Sequence, residues 1–169
     1  MDLNSVLSIN QTVHNMGAVV FGAGPFYFLL LLYKRKRIAG SLVNPADMVI
    51  EAAFSTAVTA WLFFLALQAL SGASFGLISL VYEGALPEMA PVAKTALGVK
   101  VIGAFFAFVI SLYIRFSIVP GLKRITEGAA GKEHLALLAL RKKRAAFVWI
   151  LFFLAVIILT GAAFLRWNI

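Results

Sequence analysis

Residues 13–37 read VHNMGAVVFGAGPFYFLLLLYKRKR. Between His14 and Tyr33 no side chain carries a formal charge, and the run ends abruptly on Lys34-Arg35-Lys36-Arg37. A hydrocarbon core about 30 Å thick takes roughly 20 apolar residues in a helix, and a basic cluster is what halts such a helix at the headgroup layer. This stretch predicts a transmembrane span over about 13–33.

Three more stretches of the same character follow, over about 47–70, 95–119 and 145–166. The second enters after Asn44-Pro45, where proline suits a helix's first turn. The third is expected to stop at Pro120-Gly121, a helix-ending pair. Across the 169 residues, 62% are hydrophobic and only 13% charged, the inverse of a soluble domain's balance. Little chain is left for anything else. The expected fold is an all-α integral membrane bundle of four helices, forming a single transmembrane domain.

The net charge of +8 is placed by these spans. The connection at 34–46 carries Lys34, Arg35, Lys36 and Arg37. The connection at 120–144 carries Lys123, Arg124, Lys132, Arg141, Lys142, Lys143 and Arg144. The middle connection, 71–94, has Lys94 alone as a basic residue, with Glu83 and Glu88. By the positive-inside rule the first two lie in the cytoplasm and the third outside, so both termini are non-cytoplasmic, in what reads as a bacterial inner membrane. Basic residues beside apolar spans point to anionic headgroups, not to nucleic acid. Lys132 to Arg144 consists of helix-forming residues, so the last span should begin as a longer cytoplasmic helix. Phe75 to Tyr82 is too short to span and reads as an interfacial or re-entrant segment of the outer loop.

Ionisable residues within a span face the bundle interior by default. At the helical period, Lys100, Gly103, Ala107, Ser111 and Arg115 share one stripe of span three, with small residues between two cations. Glu51, Ser55 and Thr59 share a face of span two; His14, Gly17, Phe21 and Gly24 share one of span one. Span four has Thr160 in its middle and looks the most lipid-facing. Matching depths predict two clusters. Glu51 and Arg115 are expected to form a structural ion pair at the inner end. His14, Lys100 and Gln68 are expected near one another at the outer end, with any site between spans one, two and three.

His14 beside small residues has room for a flat ligand, and an imidazole nitrogen is a suitable axial ligand for haem iron. His134, the other histidine, lies at the opposite depth. A second ligand would have to be Met16, Met89 or a group from a partner chain, or the position stays open. Lys100 alternatively suits a haem propionate. The absence of cysteine removes disulfides, thiolate metal sites and covalent c-type haem. No spacing for a zinc site is present.

The first-span pattern, His14 with Gly17, Gly22, Gly24 and a basic stop, resembles the first helix of small bacterial membrane proteins of the HemJ-type protoporphyrinogen oxidase and CopD-type membrane-domain group. The stretch ALGVKVIGAFFAFVISLYIR, in which Lys100 opens span three, resembles a helix of that group that begins with lysine at matching depth. The resemblance implies haem b as cofactor, with His14 as ligand, including to the metal, and Lys100 as its neighbour. Two departures are plain. Gly98 and Val99 stand where the HemJ type has a histidine just before the lysine, and Arg144-Ala145-Ala146-Phe147 stands where it has an acidic-proline motif. A haem- or redox-associated membrane protein is therefore one expectation. A non-catalytic subunit packing against a larger membrane complex, or a homo-oligomer, is the other. Whether the chain is an enzyme stays open between them.

Overall fold

The computed structural model describes residues 3–39, 46–81, 91–127 and 134–167. All are helical. The elements are α1 (Leu3–Ala39), α2 (Ala46–Val81), α3 (Pro91–Tyr113), a π-helical stretch (Ile114–Ile118), α4 (Val119–Glu127) and α5 (His134–Trp167).

Four helical segments are long and apolar enough to cross a membrane: Leu3–Arg35, Asp47–Ile78, Pro91–Ile125 and Leu135–Ala162. They run up, down, up, down. Arg35 meets Asp47 at one end of the α1–α2 pair and His14 meets Ser71 at the other. Along α3 and α5, Lys143 meets Tyr113 at one end while Gly161 lies against Lys100 at the other. The end holding the starts of α1 and α3 is called the terminal end below. The opposite end is the basic end.

The outer surface carries large apolar side chains, among them Val19, Phe63, Phe105 and Phe153, each more than half exposed. Monomeric soluble proteins rarely present so continuous an apolar surface. Within a bilayer the same surface meets lipid tails, so exposure is no liability.

Inside, Phe28, Phe54 and Trp61 form an aromatic knot, with ring centroids 4.7 Å apart for Phe28–Phe54 and 6.0 Å for Phe28–Trp61. Gly24 admits the Trp61 indole: a Cβ there would lie 2.0 Å from Nε1. The small-residue stripe of α3 behaves as its spacing predicts. Gly103, Ala107 and Ser111 are buried, and a Cβ on Gly103 would stand 3.3 Å from Ile158 of α5. Small residues let helix backbones approach closely, where dispersion replaces a hydrophobic drive.

Four expectations change. First, the third span does not stop at Pro120-Gly121; the chain stays helical to Glu127. Proline cannot donate to the carbonyl four residues back, and its ring crowds that carbonyl. The chain answers with a π-helical stretch just before it, where the Val119 N–H donates to the Ile114 carbonyl. Widening the turn makes room for the ring without ending the helix. Second, residues Phe75 to Val81 are no separate interfacial piece but the last turns of α2; Tyr82 to Ala90 lie outside the described residues. Third, α5 is not the most lipid-facing helix. Leu151, Ala155 and Ile158 are buried, and α5 packs on both α3 and α1. Fourth, Ser55 and Thr59 do not point into the bundle. They border a shallow surface groove with Thr56 and Phe63, and Thr59 donates back to the Ser55 carbonyl. The expected helical lead into the last span is present from His134.

Candidate functional site

At the terminal end three helices bring together residues far apart in sequence. His14, three residues before the close α1–α2 approach at Gly17, turns its ring over α2. A Cβ on Gly17 would lie 3.1 Å from the Phe64 carbonyl and 3.3 Å from Gln68 Cβ, so α1 and α2 nearly touch there. On α2, Gly72 leaves the His14 ring in open van der Waals contact, and Phe75 meets it edge-on with centroids 6.1 Å apart. Lys100 of α3 completes the group. Its Nζ lies 2.8 Å from His14 Nε2, across a sequence separation of 86.

The hydrogen-bond directions follow from what each group has to offer. Ammonium has only donors, so Nε2 of a neutral imidazole accepts and the proton sits on Nδ1. His14 Nδ1 is 3.0 Å from Ser71 Oγ, and the Ser71 hydroxyl donates to the Gln68 carbonyl at 3.1 Å. The chain Lys100, His14, Ser71, Gln68 carbonyl is thus satisfied with one positive charge, held on Lys100. A second proton on His14 would leave the Lys100 contact without an acceptor. Gln68 also reaches this region as expected, but its side-chain amide, 5% exposed, has no partner at either nitrogen or oxygen. An unmet buried amide costs on the order of 1–3 kcal/mol, so it marks a position where a polar atom is wanted.

Beside this group, α1 and α2 form a groove of about 520 Å³ lined by Val6, Asn10, Val13, Leu67 and Ser71. Ser71 belongs to both: its backbone accepts from Asn10 at the groove and its hydroxyl holds His14. The groove is mostly apolar, with Asn10, Ser71 and Ser74 as its polar lining, and Ser71 is its link to His14.

At the basic end the expected partner of Glu51 is replaced. Arg115 forms no ion pair with Glu51. It lies half-buried in the π-helical stretch, on a helix that packs chiefly against α5. Glu51 is instead bound by Arg144 Nη1, with Arg141 Nε 3.9 Å away. One turn earlier Asp47 receives Arg35 Nε at 2.6 Å and Nη2 at 2.9 Å, and Arg141 Nη2 at 2.8 Å. Arg144 also stacks its guanidinium 5.1 Å from the Phe54 ring centroid, which ties the charges to the aromatic knot.

Four members of this cluster were not singled out by sequence reasoning, although one signal was present. Leu137, Arg141, Arg144, Val148, Leu151, Ala155 and Ile158 fall on a single stripe of α5, all buried. Lys142 and Lys143 fall off it and are exposed. Periodicity therefore sorts the basic run into an inward pair and an outward pair. The corrected pairing has a measurable consequence. Glu51→Gln and Arg144→Gln together should destabilise less than the sum of the single changes, whereas Glu51→Gln with Arg115→Gln should add within about 0.5 kcal/mol. Reversible unfolding in mixed micelles reads both cycles.

No protein-family model, curated protein or solved structure matches the chain. The site stands on its own geometry.

Haem ligation by His14 does not fit this arrangement. Both ring nitrogens are already hydrogen-bonded, Nε2 to Lys100 and Nδ1 to Ser71. The glycine-lined face below the ring is filled by the α2 backbone at Gly17 and by Trp61 at Gly24. Among the described residues no group of three His, Cys, Asp or Glu side chains is placed to hold a metal ion.

Proposed function

We propose that this chain is a redox-associated inner-membrane protein, both termini non-cytoplasmic, that binds an amphipathic acidic molecule at the outer His14–Lys100 pair. The observation that supports this most is the 2.8 Å contact between Lys100 Nζ and His14 Nε2. Intramembrane cations are costly and tend to be placed for function. Here the imidazole fixes the ammonium by one hydrogen bond and leaves its other donors for a ligand carboxylate. The unpartnered Gln68 amide supplies a further donor, and the adjoining groove accepts an apolar body. A tetrapyrrole carboxylate is the ligand class that the resemblance to the HemJ and CopD group implies. In this reading it is held by its acid group at Lys100, not through iron on His14. His14 is then a positioning residue, which orients Lys100 and keeps the shared charge single.

Co-purification tests the reading. Protein extracted from membranes in mild detergent should carry a tetrapyrrole, seen by absorbance and by mass spectrometry of the extract. Lys100→Met should lower its content about tenfold or more, the equivalent of a lost charge-assisted hydrogen bond. Gly98→Ala, at a position with nothing within 4 Å, should leave it unchanged. Wild-type protein carrying no more tetrapyrrole than Lys100→Met overturns the proposal and leaves the non-catalytic subunit as the better account.

A further inference from the structure

The buried charges at the basic end do not balance. Arg35, Arg141 and Arg144 face Asp47 and Glu51, three guanidiniums against two carboxylates among the described residues. Nor are the donors used up. Arg141 Nε and Nη1 and Arg144 Nε are buried and make no hydrogen bond. Arg141 is 8% exposed and Arg144 1%. Removing a guanidinium from water is costly, and attraction offsets that cost only when the geometry is good and the remaining protons are satisfied. A surplus charge with idle N–H groups is the reverse of that condition. It is met by one further anion.

The kind of anion follows from the donors and from where they lie. Guanidinium presents a planar fork that matches phosphate and carboxylate oxygens. The cluster sits at the end of the bundle where Lys34, Lys123, Arg124, Lys142 and Lys143 are exposed. Such an array concentrates anionic headgroups at the membrane surface. The phosphate oxyanion is therefore the abundant acceptor at this depth. Among the described members of the cluster, Arg35 and Glu51 have side chains 12% exposed and Arg141 8%.

We propose that Arg141 and Arg144 form an anion site that takes one phosphate group at the basic end of the bundle. The phosphate comes from an anionic phospholipid headgroup or from free phosphate. Arg141 is the arm that reaches it, while Asp47 and Glu51 fix the two guanidiniums in place. The outward lysines attract the anion; the inward arginines bind it.

The test uses the full chain. After purification with mixed phosphatidylglycerol and phosphatidylcholine, native mass spectrometry should show one phosphatidylglycerol retained by the wild type in preference to phosphatidylcholine. Arg141→Lys keeps a cation beside Asp47, so the bundle should fold, but it removes the fork and should cut retention about tenfold. Lys142→Gln with Lys143→Gln should weaken retention less than Arg141→Lys does. In a parallel arm, delipidated protein is heated with and without inorganic phosphate. Stabilisation by inorganic phosphate that Arg141→Lys abolishes assigns the site to the free ion, and selective retention of phosphatidylglycerol assigns it to the headgroup; both support the site. If Arg141→Lys matches the wild type in both arms, the proposal fails. It also fails if the Lys142 and Lys143 changes alone remove the preference, since the binding is then a surface effect.

Discussion

Replacing Asp47 with asparagine is expected to destabilise the bundle by about 3–5 kcal/mol, the range for removing one partner of a buried ion pair. Asp47 is 1% exposed and accepts from two arginines on different helices, Arg35 at the end of α1 and Arg141 near the start of α5. Asparagine keeps the shape and one acceptor oxygen, but it leaves the cluster with a larger buried surplus of positive charge. The loss is therefore electrostatic and not a packing defect. Adding Arg141→Met to Asp47→Asn should recover part of it, because an apolar side chain of similar length removes the stranded charge. Reversible unfolding in mixed micelles measures both. A single change within about 0.5 kcal/mol of wild type, the range of an ordinary surface substitution, would show that Asp47 holds no such pair.

Gly24→Ala should be the most disruptive glycine-to-alanine change among the described residues. The added carbon would sit 2.0 Å from Trp61 Nε1 and within 3 Å of two more ring atoms. Trp61 is 2% exposed and meets both Phe28 and Phe54 near perpendicular, so the indole has nowhere to move. Overpacking of this kind costs about 1–3 kcal/mol, and more where the obstacle is rigid. Gly76→Ala is the matched control, since a Cβ there meets nothing within 4 Å. It should be neutral or stabilising, as alanine favours the helix by about 1 kcal/mol over glycine. Thermal unfolding in detergent should separate the two variants clearly. Equal melting temperatures would contradict the close approach of α1 and α2.

Much of this architecture is legible in the sequence, because apolar length and basic stops are properties of single segments. Val13 to Arg37 declares a span without reference to any other residue. The terminal-end group was legible for a related reason. His14 and Lys100 each stand a few residues into spans that run in the same direction, so equal depth in the membrane brought them level. What the sequence did not disclose is which helices are neighbours. Arg115 and Glu51 are also level, yet α3 leans on α5, and Arg141 and Arg144 from α5 take Glu51 instead. Those arginines were hidden inside a run of four basic residues that reads as a topology signal. Only the 3.6-residue period of the buried stripe separates them from Lys142 and Lys143. Pro120-Gly121 misled for another reason. A proline ends a helix when nothing accommodates its ring, and here a π-helical stretch does.

The hydrogen bond between His14 and Lys100 is the centre of the account, and nitrogen-15 NMR in bilayers reads it directly. With His134 replaced by glutamine, His14 is the sole imidazole in the chain. The structure predicts a neutral ring with the proton on Nδ1 and Nε2 as acceptor, and an Nε2 signal that shifts in Lys100→Met. A His14 spectrum that is the same with and without the Lys100 ammonium would contradict it.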